Sequence, residues 1–283
     1  LGGLMARTLA REGIGSLAEG NVTRHPGRVA LTTSATMIGL AVIVGLGGLV
    51  FSLSGGFLSM LQRSLGSDYL IMPPAVGVWG SDVSAKGALA ADLRTVPGVD
   101  VVSTMRYAAA TIEGRPVSLL AIDPQTYPRV ASLTFQRGDA QTAYRELAEG
   151  RALIVNGILA AQAGFKLGDL VRVATPTGAK EYRIAGIAGD YLNAKVMTAY
   201  VSQDNLARDW RKTEDIFIQV NLAPGADAAR AEDKMRAILE HYPQFKLVNG
   251  QAYYQENKQL FQSLFAVYFV ILGLLAFPSL IAL

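Results

Sequence analysis

Between Arg28 and Arg63 the chain carries no charged residue, and this tract restricts the fold more than any other feature of the 283 residues. A bilayer's hydrocarbon core is about 30 Å thick and an α-helix rises about 1.5 Å per residue, so roughly 20 apolar residues cross it. Val29 to Leu53 meets that requirement. A buried helix of a soluble domain is usually shorter and keeps a polar edge. A signal peptide would have a shorter apolar region and would not follow 28 residues of leader.

The C-terminal end repeats the pattern. No charge follows Lys258, and Leu264 to Leu275 is almost unbroken apolar sequence, with Phe261, Phe265, Tyr268 and Phe269 at its start, where aromatic rings suit a membrane interface. Pro278 is tolerated in a membrane helix because neighbouring helices satisfy the freed carbonyl. Two spans are therefore expected, at residues 26–66 with a stalk and at 251–283. Charge sets their orientation. Four of the 26 Lys and Arg and two of the 23 Asp and Glu precede the first tract, so the middle is nearly balanced and the excess sits in the leader. Arg24 and Arg28, with His25, crowd the membrane edge and should stay inside. Residues of about 63–258 are then extracytoplasmic, and the expected location is the cell (inner) membrane. No cysteine is present to staple that part or to report its redox compartment.

Residues 1–25 read as an amphipathic helix on the inner leaflet, with Leu4, Leu9, Ile14 and Leu17 beside Arg7, Arg11 and Glu12. Asn21 or Thr23 as a cap and Pro26 in the first turn start the next helix. Within the first span, Ala35 and Gly39 are four apart, as are Ala41 and Gly45, a spacing that lets helix backbones approach in lipid. Phe57, Leu58, Leu61 and Leu65 continue the stripe outward as a stalk.

Outside the membrane, "DYLIMPP" reads as a strand stopped by prolines, Ala85 to Val96 as a short helix, and residues 99–123 as two strands turning at Gly114. Strand "DIFIQVNL", a helix from Asp227 to His241 and a strand near Phe245 to Val248 come much later. That order resembles a split βαββαβ lobe, residues 67–123 and 213–250, interrupted by an insertion, 124–212. Alternation at Val171, Val173, Tyr182, Ile184 and Ile187, with Thr177 and Gly178 at a hairpin tip, makes the insertion β-rich. The expected fold class is a membrane protein with two transmembrane α-helices bracketing an α+β extracytoplasmic domain.

Enzymatic chemistry is hard to place. The two histidines, His25 and His241, fall on opposite sides of the membrane in this topology and cannot share a metal or a triad. No H-E-x-x-H or G-x-S-x-G occurs, and "GLGGLV" does not fit a phosphate loop, so no catalytic, cofactor-binding or metal-binding residue is assigned. Asp190 reads as a turn acid, and Glu232 with Asp233 as a solvated helix face. The pI near 9.1 has no basic stripe interleaved with aromatics behind it, so nucleic acid is not an expected partner.

"NVTRHPGRVALTTSATMIGLAVIVGL" is similar to the opening of permeases of the MacB and FtsX class, related to LolC and LolE. "EGRALIVN", "KLGDLVRVATPTG" and "YRIAGIAGD" resemble the extracytoplasmic core of that class, through Gly150 and Arg151, then Leu167, Gly168 and Asp169, then Gly186 and Ile187. The resemblance implies an ABC transporter permease, not itself an enzyme, that binds no cofactor and works with a separate cytoplasmic ATPase that binds ATP. It implies a porter-like lobe carrying an inserted lobe and a second permease copy or half as partner. An extracytoplasmic adaptor or substrate protein would be a further partner. The implied mechanism is mechanotransmission, serving export or extraction of lipid, lipoprotein or peptide-like substrates, or activation of a cell-wall hydrolase. Ending within its second span, the chain reads as a fragment of a longer permease. A two-span sensor with an outer ligand domain is the alternative.

Overall fold

The computed structural model describes residues 26–73, 84, 85, 87–190, 193 and 196–281. The expected amphipathic helix at 1–25 and Arg24 lie outside them. The described residues up to Gly56 and from Gln259 on make one compact unit, and Phe57–Lys258 makes the other.

The first element, α1 (Pro26–Ser64), is a single 39-residue helix. Over Thr36–Ser64 it is long and apolar enough to cross a membrane, and among the described residues it is the one helix that passes that test. Most of its described large side chains as far as Leu53 are exposed, Leu31 and Phe51 at 76 % each, whereas Leu61 is fully buried. An exposed apolar face of that size marks a surface for lipid or for another protein. The last helix, α8 (Gly250–Ile281), carries the second charge-free tract.

The outer unit is built on one ten-stranded sheet. Strand β1 (Tyr69–Met72) stops at Pro73 as expected, α2 (Ala88–Arg94) follows, and β2 (Val99–Ile112) turns into β3 (Arg115–Ile122). Glu113 and Gly114 both hold positive φ, 47° and 77°, the backbone a two-residue hairpin needs to match strand twist. Far along the chain come β9 (Asp215–Leu222), α7 (Ala228–Leu239) and β10 (Lys246–Asn249). These strands run in the order β10-β1-β9-β2, every pair antiparallel, which is the βαββαβ arrangement with β9 seated between β1 and β2. Helices α2 and α7 cover one face through Leu89, Leu93, Met235 and Leu239.

The segment 124–212, expected to be β-rich, is mixed. It holds α3 (Tyr127–Val130), β4 (Thr134–Arg137), α4 (Ala140–Glu149), β5 (Ala152–Val155), α5 (Gly157–Ala163), β6 (Leu170–Thr175), β7 (Gly178–Gly189), β8 (Thr198–Ser202) and α6 (Gln203–Trp210). Side-chain caps start three of its helices: Asp139 accepts from Thr142 N, Asn156 from Leu159 N and Ser202 from Asn205 N. The insertion also continues the sheet. β8 pairs in parallel with β3, and β5, β7 and β4 follow outward. Strand β3, grouped by sequence with the porter-like lobe, joins the two halves through β8, and β6 joins them again by pairing with the end of β2 at Thr111 and Ile112.

Candidate functional site

Two regions carry the residues singled out by sequence. The first is where β5 meets β7. Gly150 ends α4, and Arg151 opens β5, where its carbonyl accepts from Arg183 N at 2.9 Å. Its guanidinium grips Asp209 of α6 with two bonds, Nε to Oδ2 at 2.8 Å and Nη2 to Oδ1 at 3.1 Å. The Tyr182 hydroxyl donates to the same carboxylate at 2.6 Å. Asp209 is 2 % exposed, and the hydrogen bonds from Arg151 hold its carboxyl below the usual range. Asn205 Nδ2 meanwhile donates to Gly150 O at 2.7 Å.

Leu167, Gly168 and Asp169 form the turn before β6. Gly168 has φ of 86°, and its N–H reaches Ile184 O at 2.8 Å, while Asp169 Oδ2 accepts from Lys166 N at 2.8 Å. Gly186 and Ile187 lie opposite Ile154 and Val155 in β7. A Cβ on Gly186 would stand 2.8 Å from the Phe135 ring, so that strand needs glycine to let β4 pack. The seven motif residues thus converge on the β5–β7 pair as framework. Sequence reasoning missed Asp209, Tyr182 and Asn205, whose partners lie 27 to 58 positions away and leave no local signal.

The second region is where the long helices join the sheet. Asp68 O accepts from Gly250 N at 2.8 Å, and Asp68 itself reaches β9 through Asn221 and the Leu222 N–H. A cavity of about 540 Å³ opens here, lined by Gln62, Asp68, Tyr69, Asn249, Gln251 and Tyr254 among others. In the other unit, Gly45 has nothing within 4 Å of a Cβ position, and Gly47 meets the Phe269 ring at 3.7 Å. Ala35, Gly39, Ala41 and Arg28 lie on α1.

Among the described residues no group of three or more His, Asp or Glu could hold a metal. His241 follows α7 at the surface. Asp190 is buried, with its Oδ1 taking the Asn193 N–H at 2.8 Å, which is the turn role expected for it. Glu232 pairs with Arg236 and accepts from the Tyr69 hydroxyl at 3.2 Å.

The MacB-like periplasmic core domain family matches residues 29–238, about three quarters of the chain. The chain belongs to that family. As a MacB-like chain it falls in the MacB and FtsX class of ABC permeases that the motifs indicated. Solved structures similar to it include two transporter domains. The extracellular domain of YknZ, a noncanonic ABC-type transporter from Gram-positive bacteria, is 16 % identical with a TM-score of 0.47, over 65 % of this chain and 99 % of that one. The periplasmic region of MacB from Actinobacillus actinomycetemcomitans is 15 % identical with a TM-score of 0.49, over 71 % and 98 %. No curated protein matches in sequence.

The buried tyrosines of this MacB-like domain give it a pH limit. Burial raises the hydroxyls of Tyr127, Tyr200 and Tyr182, helped by Asp190 for the first two and by Asp209 for the third, and pushes Tyr144 up to about 12. Each folded pKa stands above the unfolded value near 10, so below pH 10 both states keep the proton and stability is unaffected. Above pH 10 the unfolded chain loses protons that the fold retains. Stability should then fall by up to about 1.4 kcal/mol per pH unit for each such tyrosine. Melting the detergent-purified protein from pH 8 to 11.5 should show a flat midpoint to about pH 10 and a steep decline beyond it.

Proposed function

We propose that this chain is the membrane subunit of an ABC transporter that converts ATP hydrolysis by a separate cytoplasmic ATPase into movement of its outer domain. The observation that carries the reading is the continuity of α1. One unbroken helix is apolar and outward-facing through Leu53 and buried in the core of the outer unit at Leu61, with Leu65 buried just beyond its end. A helix of that kind transmits displacement along its length because its backbone hydrogen bonds are satisfied within it. No residue needs an unusual pKa for this task.

On this reading α8 is the second span, Arg24 and Arg28 mark the cytoplasmic edge, and residues of about 63–258 face outward in a multi-pass inner-membrane protein. A second permease copy or half completes the assembly, and Gly39 and Gly45 pack against other membrane helices. The cargo is a lipid, lipoprotein or peptide-like molecule taken up by the outer domain. The test is purification of the permease in mild detergent. An ATPase subunit should co-purify and hydrolyse ATP in the complex. A permease that brings down no ATPase, and whose outer domain is indifferent to nucleotide, would overturn the reading.

A further inference from the structure

The outer end of α1 is held in an unusual way. The last turn of a helix leaves carbonyls without intrahelical partners, and these commonly go to water or to a left-handed glycine cap. Here they go to two distant parts of the sheet. Arg63 O accepts from the N–H of Ser132, in the loop between α3 and β4 of the inserted segment, at 3.0 Å. Ser64 O accepts from Gln219 Nε2 of β9, in the middle of the porter-like lobe, at 3.2 Å. The same nitrogen reaches Ser67 Oγ at 3.3 Å, so one carboxamide spans the helix end and the loop leading into β1. Gly66 makes the approach possible, since a Cβ there would stand 2.8 Å from Gln62 O.

Gln219, Ser64 and Ser67 are 2 %, 4 % and 2 % exposed. An apolar side chain at 219 would bury as readily and would need no partner, whereas a buried carboxamide must find its hydrogen bonds. The geometry fixes direction as well as contact. Gln219 lies opposite Leu70 of β1 on one side and Ser103 of β2 on the other, so force on its side chain enters the sheet between β1 and β2, in the porter-like lobe.

We infer that Gln219 and the Ser132 N–H form the joint through which α1 drives both halves of the outer domain. The inference rests on the mechanotransmission reading and names the positioning residues within it. Gln219 pulls the porter-like lobe and Ser132 the inserted segment, so that a shift of the helix end moves both together. Neither touches cargo or nucleotide.

The test uses the permease with its ATPase in nanodiscs. Because the chain has no cysteine, Glu181→Cys on exposed β7 gives a single spin-label site, and the distance between labels on two permease copies is followed with and without nucleotide. In the labelled parent the distance should change with nucleotide. In Gln219→Met, which keeps the volume and loses the donor, the change should shrink while basal ATP hydrolysis persists, since Ser132 still pulls the inserted segment that carries the label. Ser132→Pro removes the other N–H, and Ala131 is already extended, as a residue before proline prefers. It decides the matter if Gln219→Met fails to fold. A parent that shows no nucleotide-dependent change sinks the transmission reading itself. A parent that moves, with folded variants that move as far, overturns the joint alone.

Discussion

A Gly250→Ala substitution should destabilise the outer domain by about 3 kcal/mol or more, at the upper end of what one methyl group does by overpacking. Gly250 starts α8 directly after β10, against the chain that leaves α1. A Cβ built there lies 1.9 Å from Ser67 O, 3.1 Å from Ser67 C and 3.4 Å from Asp68 O. All three are backbone atoms, so no rotamer change relieves the clash. The strands cannot slide apart either, because Asn249 is in register with Tyr69 and Gly250 N is bonded to Asp68 O. The loop 65–68 must move instead, and with it go the Gln219 contacts to Ser64 and Ser67. Gly87→Ala is the control. It has nothing within 4 Å and φ of −53°, and should change stability by less than about 0.5 kcal/mol. Denaturant unfolding of the two variants beside the parent makes the comparison, and equal midpoints for Gly250→Ala and the parent would show that the junction is loose.

How much of this could be read from sequence depended on the range of each interaction. The porter-like lobe was legible because its signals are local. Pro73 stops β1, Gly114 supplies the turn between β2 and β3, and in "DIFIQVNL" the apolar Ile216, Ile218, Val220 and Leu222 recur at every second position. The alternating Val171 and Val173 likewise gave the β6–β7 hairpin with Thr175 opposite Gly178. Helices α4 and α5 were overlooked beside those strands, although Asp139 and Asn156 are ordinary caps. They are ten and seven residues long, and isolated helices of that length owe their stability to tertiary packing. The parallel pairing of β8 with β3 leaves no trace in either strand, since register across a crossover is decided by the assembled core. Motif residues were found but not their purpose. Arg151 shows in sequence as part of a short pattern, while the carboxylate that explains it is 58 positions on. Gln219 in a strand of Ile, Phe and Val reads as an interruption until the end of α1 is placed beside it.

Arg151→Ala should be the most damaging change within the inserted segment, and its effect should depend on pH. Removing one partner of a buried ion pair leaves the other charge uncompensated, typically at about 3–5 kcal/mol. The Arg151 side chain is 36 % exposed, and solvent screens its outer edge, so about 2–3 kcal/mol is the better expectation here. The Tyr182 hydroxyl remains on Asp209 in the variant, which softens the loss without cancelling it. In the parent, the Asp209 carboxyl is held below its unfolded value near 3.9, so its stabilisation is present above about pH 4 and is lost as pH falls through the folded pKa. In Arg151→Ala the largest lowering influence is gone, so the folded carboxyl moves up toward its unfolded value and less of this stabilisation remains. The stability gap between parent and variant should therefore be full above about pH 4 and shrink as pH falls below it. Arg151→Lys should recover part of the loss, since an ammonium restores the charge but not the paired geometry of the guanidinium. Denaturation of parent, Arg151→Ala and Arg151→Lys at pH 7 and about pH 2.5 reads all three effects. A gap that is the same at both values would mean that Arg151 acts through packing alone and that Asp209 is not the buried anion of this clasp.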